Sequence, residues 1–137
     1  MCLQELKLTS KQLPGAKMQA KGRTWNTVAS PAKVTQVYPR LATTGGCMVA
    51  ASGGAGVTTH RNAVDEAVAH RLAACHVGAC WRGGLHVLSG WLHHTEGLTS
   101  RNLSLLDSWA GLVASLRGPW VISADWNSTP QEISETT

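Results

Sequence analysis

The chain has 137 residues, a formal charge of +4 at pH 7, 43% hydrophobic residues and only 15% charged ones. That length suffices for one domain that buries roughly two thirds of its unfolded surface, and the apolar content excludes a disordered chain. No apolar run reaches the ~18 residues needed to span a bilayer, so no membrane partner is expected. Gln4, Glu5 and Lys7 directly after Met1 do not form a secretory leader, so an intracellular location, cytoplasm or nucleus, is expected.

In chain order, "MCLQELKL" alternates apolar and polar residues and reads as a strand. Residues 9–23 contain Pro14, Gly15 and Gly22 and read as a loop with at most one helical turn. "TWNTVAS" reads as a strand, "PAKVTQVYPRLATT" as a loop bounded by Pro31 and Pro39, and "GGCMVAA" as a short buried strand. The glycines of "SGGAGVTTHRN" lack the Gly-Lys-Ser/Thr ending of a phosphate loop and read as a turn. "RLAACHVGACW" and "GGLHVLSGWL" flank Arg82-Gly83-Gly84 and read as a hairpin. From Ser100 the period becomes helical. Leu103, Leu106, Ala110 and Val113 recur along one stripe, and Leu105, Trp109, Leu112 and Leu116 widen it. Thr99 or Ser100 can cap this helix and Gly118-Pro119 can end it. "WVISAD" then reads as a second buried strand, and a polar tail follows.

The positive charge is local. Lys7, Lys11, Lys17, Lys21, Arg23 and Lys33 lie in a stretch with no Asp or Glu between Glu5 and Asp65. A solvated basic face explains this by itself, and an anionic partner is mildly favoured. Cys2, Cys47, Cys75 and Cys80 do not supply the two close ligand pairs of structural zinc, so free thiols in a reducing compartment are expected.

Asp125 and Asn127 are two apart at the end of an apolar strand, so their side chains share one face at its carboxyl end. A carboxylate there can orient or deprotonate a water, and the amide can hold an anionic oxygen. The same residues are good turn formers. Glu5, at the end of the first strand, can offer an oxygen ligand to a hard cation or be an ordinary exposed acid. Arg101 can reach a phosphate from the start of the helix or simply be solvated. His86 reads as a hydrogen-bonded strand residue, whereas His93 and His94 read as loop histidines near the same strand end. Of the tryptophans, Trp109 and Trp120 are expected in the core, and Trp91 and Trp126 are the candidates for ligand contact.

Taken together, "CLQELKL", "GGCMVAA", "GGLHVLSGWLHHTEG", the helix and "GPWVISADWNSTPQEI" resemble, in that order, the endonuclease/exonuclease/phosphatase superfamily. This is the deoxyribonuclease I-like group, which includes the apurinic/apyrimidinic-type endonuclease domain of non-LTR retrotransposons. The resemblance spans nearly the whole chain, and its most specific pieces are Gln4-Glu5 and Asp125-Trp126-Asn127. It implies an α/β fold: a partial two-sheet β-sandwich with flanking helices, over residues 1–137. It implies that Glu5 is a ligand for Mg2+ (or Mn2+), that Asp125 activates the attacking water and that Asn127 contacts the scissile phosphate. Trp91 occupies the place of an aromatic, often tyrosine, that helps hold the phosphate. The implied reaction is phosphodiester hydrolysis, with DNA as the partner. The pattern also departs from the family. The usual first strand ending in Asn is not upstream of Gln4, the usual Ser-Asp-His does not follow Asn127, and Ala124 stands where Gly is usual. Weak or absent activity is therefore expected, and the alternatives are an inactive remnant that binds nucleic acid or a phosphatase or phospholipase of the same superfamily.

Overall fold

The computed structural model describes residues 1–36, 42–60, 69–79 and 81–127. The Cys80 thiol, Asp65, Pro39 and the polar tail after Asn127 lie outside them. The elements are β1 (Cys2–Leu3), α1 (Leu13–Gly22), β2 (Trp25–Ser30), β3 (Lys33–Gln36), β4 (Ala42–Thr44), β5 (Cys47–Ser52), β6 (Val57–Thr59), β7 (Leu72–Val77), β8 (Leu85–Trp91), α2 (Ser100–Ser115) and β9 (Trp120–Asp125), with a 3-10 turn at Ala69–Arg71.

Two sheets form the centre of this mixed α/β fold. One has the order β1-β5-β2 and the other β6-β7-β8-β9, while β3 and β4 make a separate pair. All pairings are antiparallel except β8 with β9, which run parallel through the α2 crossover. Alternation along the strands sorts the side chains. Cys47 and Val49 of β5 meet Ala73, Cys75 and Val77 of β7 and Trp91 of β8 in a core between the sheets. The intervening residues Leu72, Ala74, Leu88 and Leu92 face the other way and pack on Leu105, Trp109 and Leu112 of α2.

The helical stripe that meets the sheet differs from the expected one. Asn102, Leu105, Trp109 and Leu112 are buried, whereas Leu103 is 38% exposed. The choice between the two overlapping stripes is made by the sheet. Gly90 leaves a gap that the Trp109 ring fills, and a Cβ at Gly90 would lie 2.6 Å from that ring.

Several expectations fail for local reasons. Residues 13–22 form a ten-residue helix, because Pro14 falls in its first turn, where a missing N–H costs no hydrogen bond. The expected loop after Pro31 contains the antiparallel pair β3 and β4, with Lys33 opposite Thr44. The strand β9 forms as expected but is not buried. It lies at the edge of its sheet, and Trp120, which starts it, is 51% exposed. The β7–β8 hairpin, the β2 and β5 strands and the hydrogen-bonded state of His86 agree with the sequence reading. His86 contacts His60 Nε2 and the Arg117 carbonyl, each at 3.0 Å. Cys47 and Cys75 are buried free thiols. Among the described residues no helix is long and apolar enough to cross a membrane.

Candidate functional site

The parallel register sets Asp125 directly opposite Trp91, and the ladder continues one step further as the Leu92 N–H donates to the Asp125 carbonyl at 3.1 Å. Paired residues of adjacent strands share a face, so Asp125 lies on the side of the sheet that looks toward β1 and β5. It is exposed there. Its Oδ1 accepts the Asn127 backbone N–H at 3.2 Å, so the sequence is a turn and also a presented carboxylate. Asn127 takes the left-handed conformation, φ 48°, which asparagine tolerates better than most residues. Its Nδ2 donates to the Leu92 carbonyl at 3.0 Å, which leaves Oδ1 to face His94 Nδ1 at 2.8 Å. His94 must therefore carry its proton on Nδ1 in this contact, and the pair of half-buried Asn127 and exposed His94 stands beside the Asp125 carboxylate.

Gln4-Glu5 reaches the same sheet from the other layer. Gln4 Nε2 donates to Ser89 Oγ and to the Ser123 carbonyl, both at 3.2 Å, and Ser89 Oγ donates to the Leu3 carbonyl at 3.0 Å. This stitch ties the segment after β1 to β8 and β9 two residues before Asp125. Beyond it, Leu6 and Lys7 donate backbone N–H groups to Gly46 and Gly45. Glu5 and Lys7 both hold left-handed backbone, φ 55° and 56°. Non-glycine residues in that region carry strain, a property that clusters at functional sites. Glu5 is exposed and its carboxylate is 3.3 Å from Lys7 Nζ. An exposed ion pair of this kind is worth little and is easily exchanged.

A second, buried cluster adjoins this face. Arg71 is 2% exposed, and its guanidinium carbon lies 4.0 Å from the centre of the Trp91 ring. Trp91 is itself buried, so it is a floor under Arg71 and not an open stacking surface. Arg71 Nη2 donates to Thr44 Oγ1 at 3.0 Å and to His93 Nδ1 at 2.9 Å. Burial, then the charge of Arg101, pull the Arg71 pKa down to about 10, while Glu96 and Glu5 lie near enough to support its charge. Burial, then Arg71 and Arg101, lower the His93 pKa to about 4. His93 is thus neutral, accepts from Arg71 and makes no ion pair with Glu96 at 3.9 Å. Asn102, fully buried at the start of α2, holds this loop. Its Oδ1 accepts the His93 N–H at 2.8 Å, and its Nδ2 donates to the carbonyls of Gly97 and His93 at 2.7 and 3.1 Å.

The expected site residues thus fall into three places. Asp125, Asn127 and the Gln4-Glu5 segment converge on one end of the two sheets, with Trp91 buried beneath. Arg101 is exposed, pairs with Glu96 at 3.0 Å and borders the Arg71 cluster. Trp126 points to the other face, where its ring meets Trp109 edge-on at 6.3 Å. Sequence reasoning missed Arg71, Asn102 and Ser89. The one available signal was a lone arginine entering the apolar run of β7.

Among the described residues no group of three or more His, Cys, Asp or Glu could hold a metal ion. Magnesium, however, commonly uses one or two carboxylates and completes its shell with water and substrate phosphate. The exposed Glu5 fits such a sparse site. No family model matches the chain, and neither a curated protein nor a solved structure matches it.

Proposed function

We propose that this chain is an endonuclease-type, deoxyribonuclease I-like domain that hydrolyses phosphodiester bonds of DNA. The observation that carries this reading is the placement of Asp125, Asn127 and His94 together at the carboxyl end of β9, on the face that Gln4-Glu5 reaches from the other sheet.

Asp125 accepts a proton from a water whose oxygen attacks the phosphorus as the bond to the leaving oxygen breaks. Asn127 turns its amide toward a non-bridging phosphate oxygen without adding charge. That role requires the amide to give up its present bonds to Leu92 and His94. His94, the imidazole nearest to this pair, then has a free ring N–H for the leaving oxygen. Glu5 would hold Mg2+ or Mn2+, which when bound stabilises charge on the phosphoryl oxygens. The lysines and Arg23 of residues 7–33 would attract the DNA backbone.

Relaxation of supercoiled plasmid by the purified chain tests this. Slow nicking that requires Mg2+, stops with EDTA and disappears in Asp125→Ala supports hydrolysis. Salt-sensitive DNA binding without nicking supports the remnant alternative. Absence of both removes the nuclease reading.

A further inference from the structure

Arg71 presents a physical problem that the proposed reaction does not solve. Its nitrogens Nε and Nη1 are buried and have no hydrogen-bond partner among the described residues, and they carry most of the guanidinium's N–H donors. No carboxylate forms an ion pair with it among the described residues. A buried cation in that condition is strongly destabilising unless something accepts from it. The side chain does not sit in a sealed core. It lines a pocket of about 320 Å3 with Lys33, His70, His93, Arg101 and Thr44.

Every chemically active group named in that wall is a cation, an imidazole or a hydroxyl. Lys33, Arg71 and Arg101 bring positive charge from three elements: β3, the turn before β7 and α2. Glu96 offsets part of it through Arg101, and the other nearby carboxylate, Glu5, is held by Lys7. Thr44 Oγ1 already accepts from Arg71, and among the described residues its hydroxyl proton has no acceptor. Ser104, one turn into α2, also lines the pocket, and that helix carries no acidic residue in its first turn to compete for an anion. A carboxylate would answer only part of this charge and few of these donors. A tetrahedral dianion would answer both.

We infer that this pocket is a binding site for a phosphate group, with Arg71 as its buried anchor and Lys33 and Arg101 as its gate. The site lies beside the Asp125 region and could hold a second phosphate of the same strand. It stands on Arg71 and not on any reaction at Asp125.

The test is calorimetric titration of the full chain with inorganic phosphate, against acetate at matched ionic strength. Saturable phosphate binding that acetate does not reproduce is expected. It should weaken roughly tenfold in each of Lys33→Ala and Arg101→Ala, as loss of a charged hydrogen bond predicts, and vanish in Arg71→Met. If Arg71→Met does not fold, the two surface variants decide, and unchanged phosphate affinity in both overturns the inference. Equal responses to phosphate and acetate overturn it too. A short DNA strand that displaces phosphate, with the same dependence on Arg101, identifies a backbone phosphate as the source. A strand that fails to displace it identifies free phosphate. Asp125→Ala should bind phosphate normally, so failure of the hydrolysis reading and failure of this one are separable.

Discussion

Two polar regions share the end of the sheet where β8 and β9 finish, and they are built in opposite ways. At Asp125 and Asn127 the groups lie at the surface, Asp125 exposed and Asn127 half-buried, set by a local turn and by the bonds of the Asn127 amide to Leu92 and His94. At Arg71, His93 and Asn102 the groups are buried, and residues distant in sequence fix them across three elements. Trp91 separates the two, with Asp125 beside it on the neighbouring strand and Arg71 over its ring. The difference teaches where each kind of chemistry can be afforded. A carboxylate that must trade protons with water belongs in water, whereas a cation gains grip on an anion as solvent is removed.

The strongest way to break the comparison is to remove the exposed carboxylate. Asp125→Ala should lower any Mg2+-dependent nicking by a hundredfold or more, the scale of a lost general base, with little change in the thermal midpoint. A large loss of stability would instead make Asp125 a structural turn residue. Next comes the buried side. Asn102→Ala leaves the His93 N–H and two carbonyls without their partner and should cost about 2–4 kcal/mol in denaturant unfolding. A smaller cost would mean that the loop carrying His93 and His94 finds other bonds. Gly90→Ala should cost about 1–3 kcal/mol through overpacking against Trp109, and a neutral result would show that the helix can shift.

The smallest effect is the pH dependence. The folded-state pKa of His93 is lowered to about 4 from an ordinary 6.5, and those of His60 and His70 are lowered as well. Between these values the unfolded chain binds more protons than the folded one. The stabilisation is complete above about pH 6.5 and is lost as the pH falls toward 4. Urea midpoints at pH 7.5, 6 and 5 should decline in that order, and His93→Gln should flatten the decline.

Much of the fold was legible because it is written in local pattern. The apolar runs of β5, β7 and β8 and the helical period of α2 needed no tertiary knowledge. What was not legible depended on neighbours. The Pro14 stretch looked like a loop because proline and glycine are punctuators, yet a proline in the first turn of a helix breaks nothing. Trp120 looked like core because β9 is apolar, and edge placement cannot be read from one strand. The choice between the Leu103 and Leu105 stripes was made by Gly90 on another element. The candidate site shows the same division. Asp125-Trp126-Asn127 is a short motif and stands out, whereas the Arg71 cluster is assembled from β4, the turn before β7, and the loop and helix after β8. Its members share no spacing that a sequence pattern could reveal.

The Asn102 clamp has a mechanical consequence. The first two turns of α2 carry Asn102, which grips the loop holding His94, and also Arg101 and Ser104, which line the pocket over Arg71. The helix is a stiff rod seated at its middle by the Trp109 ring in the Gly90 gap. A tilt about that seat would move His94 and the pocket wall together. The rod would then act as a lever shared by both regions, so a ligand that steadies one region would be felt at the other.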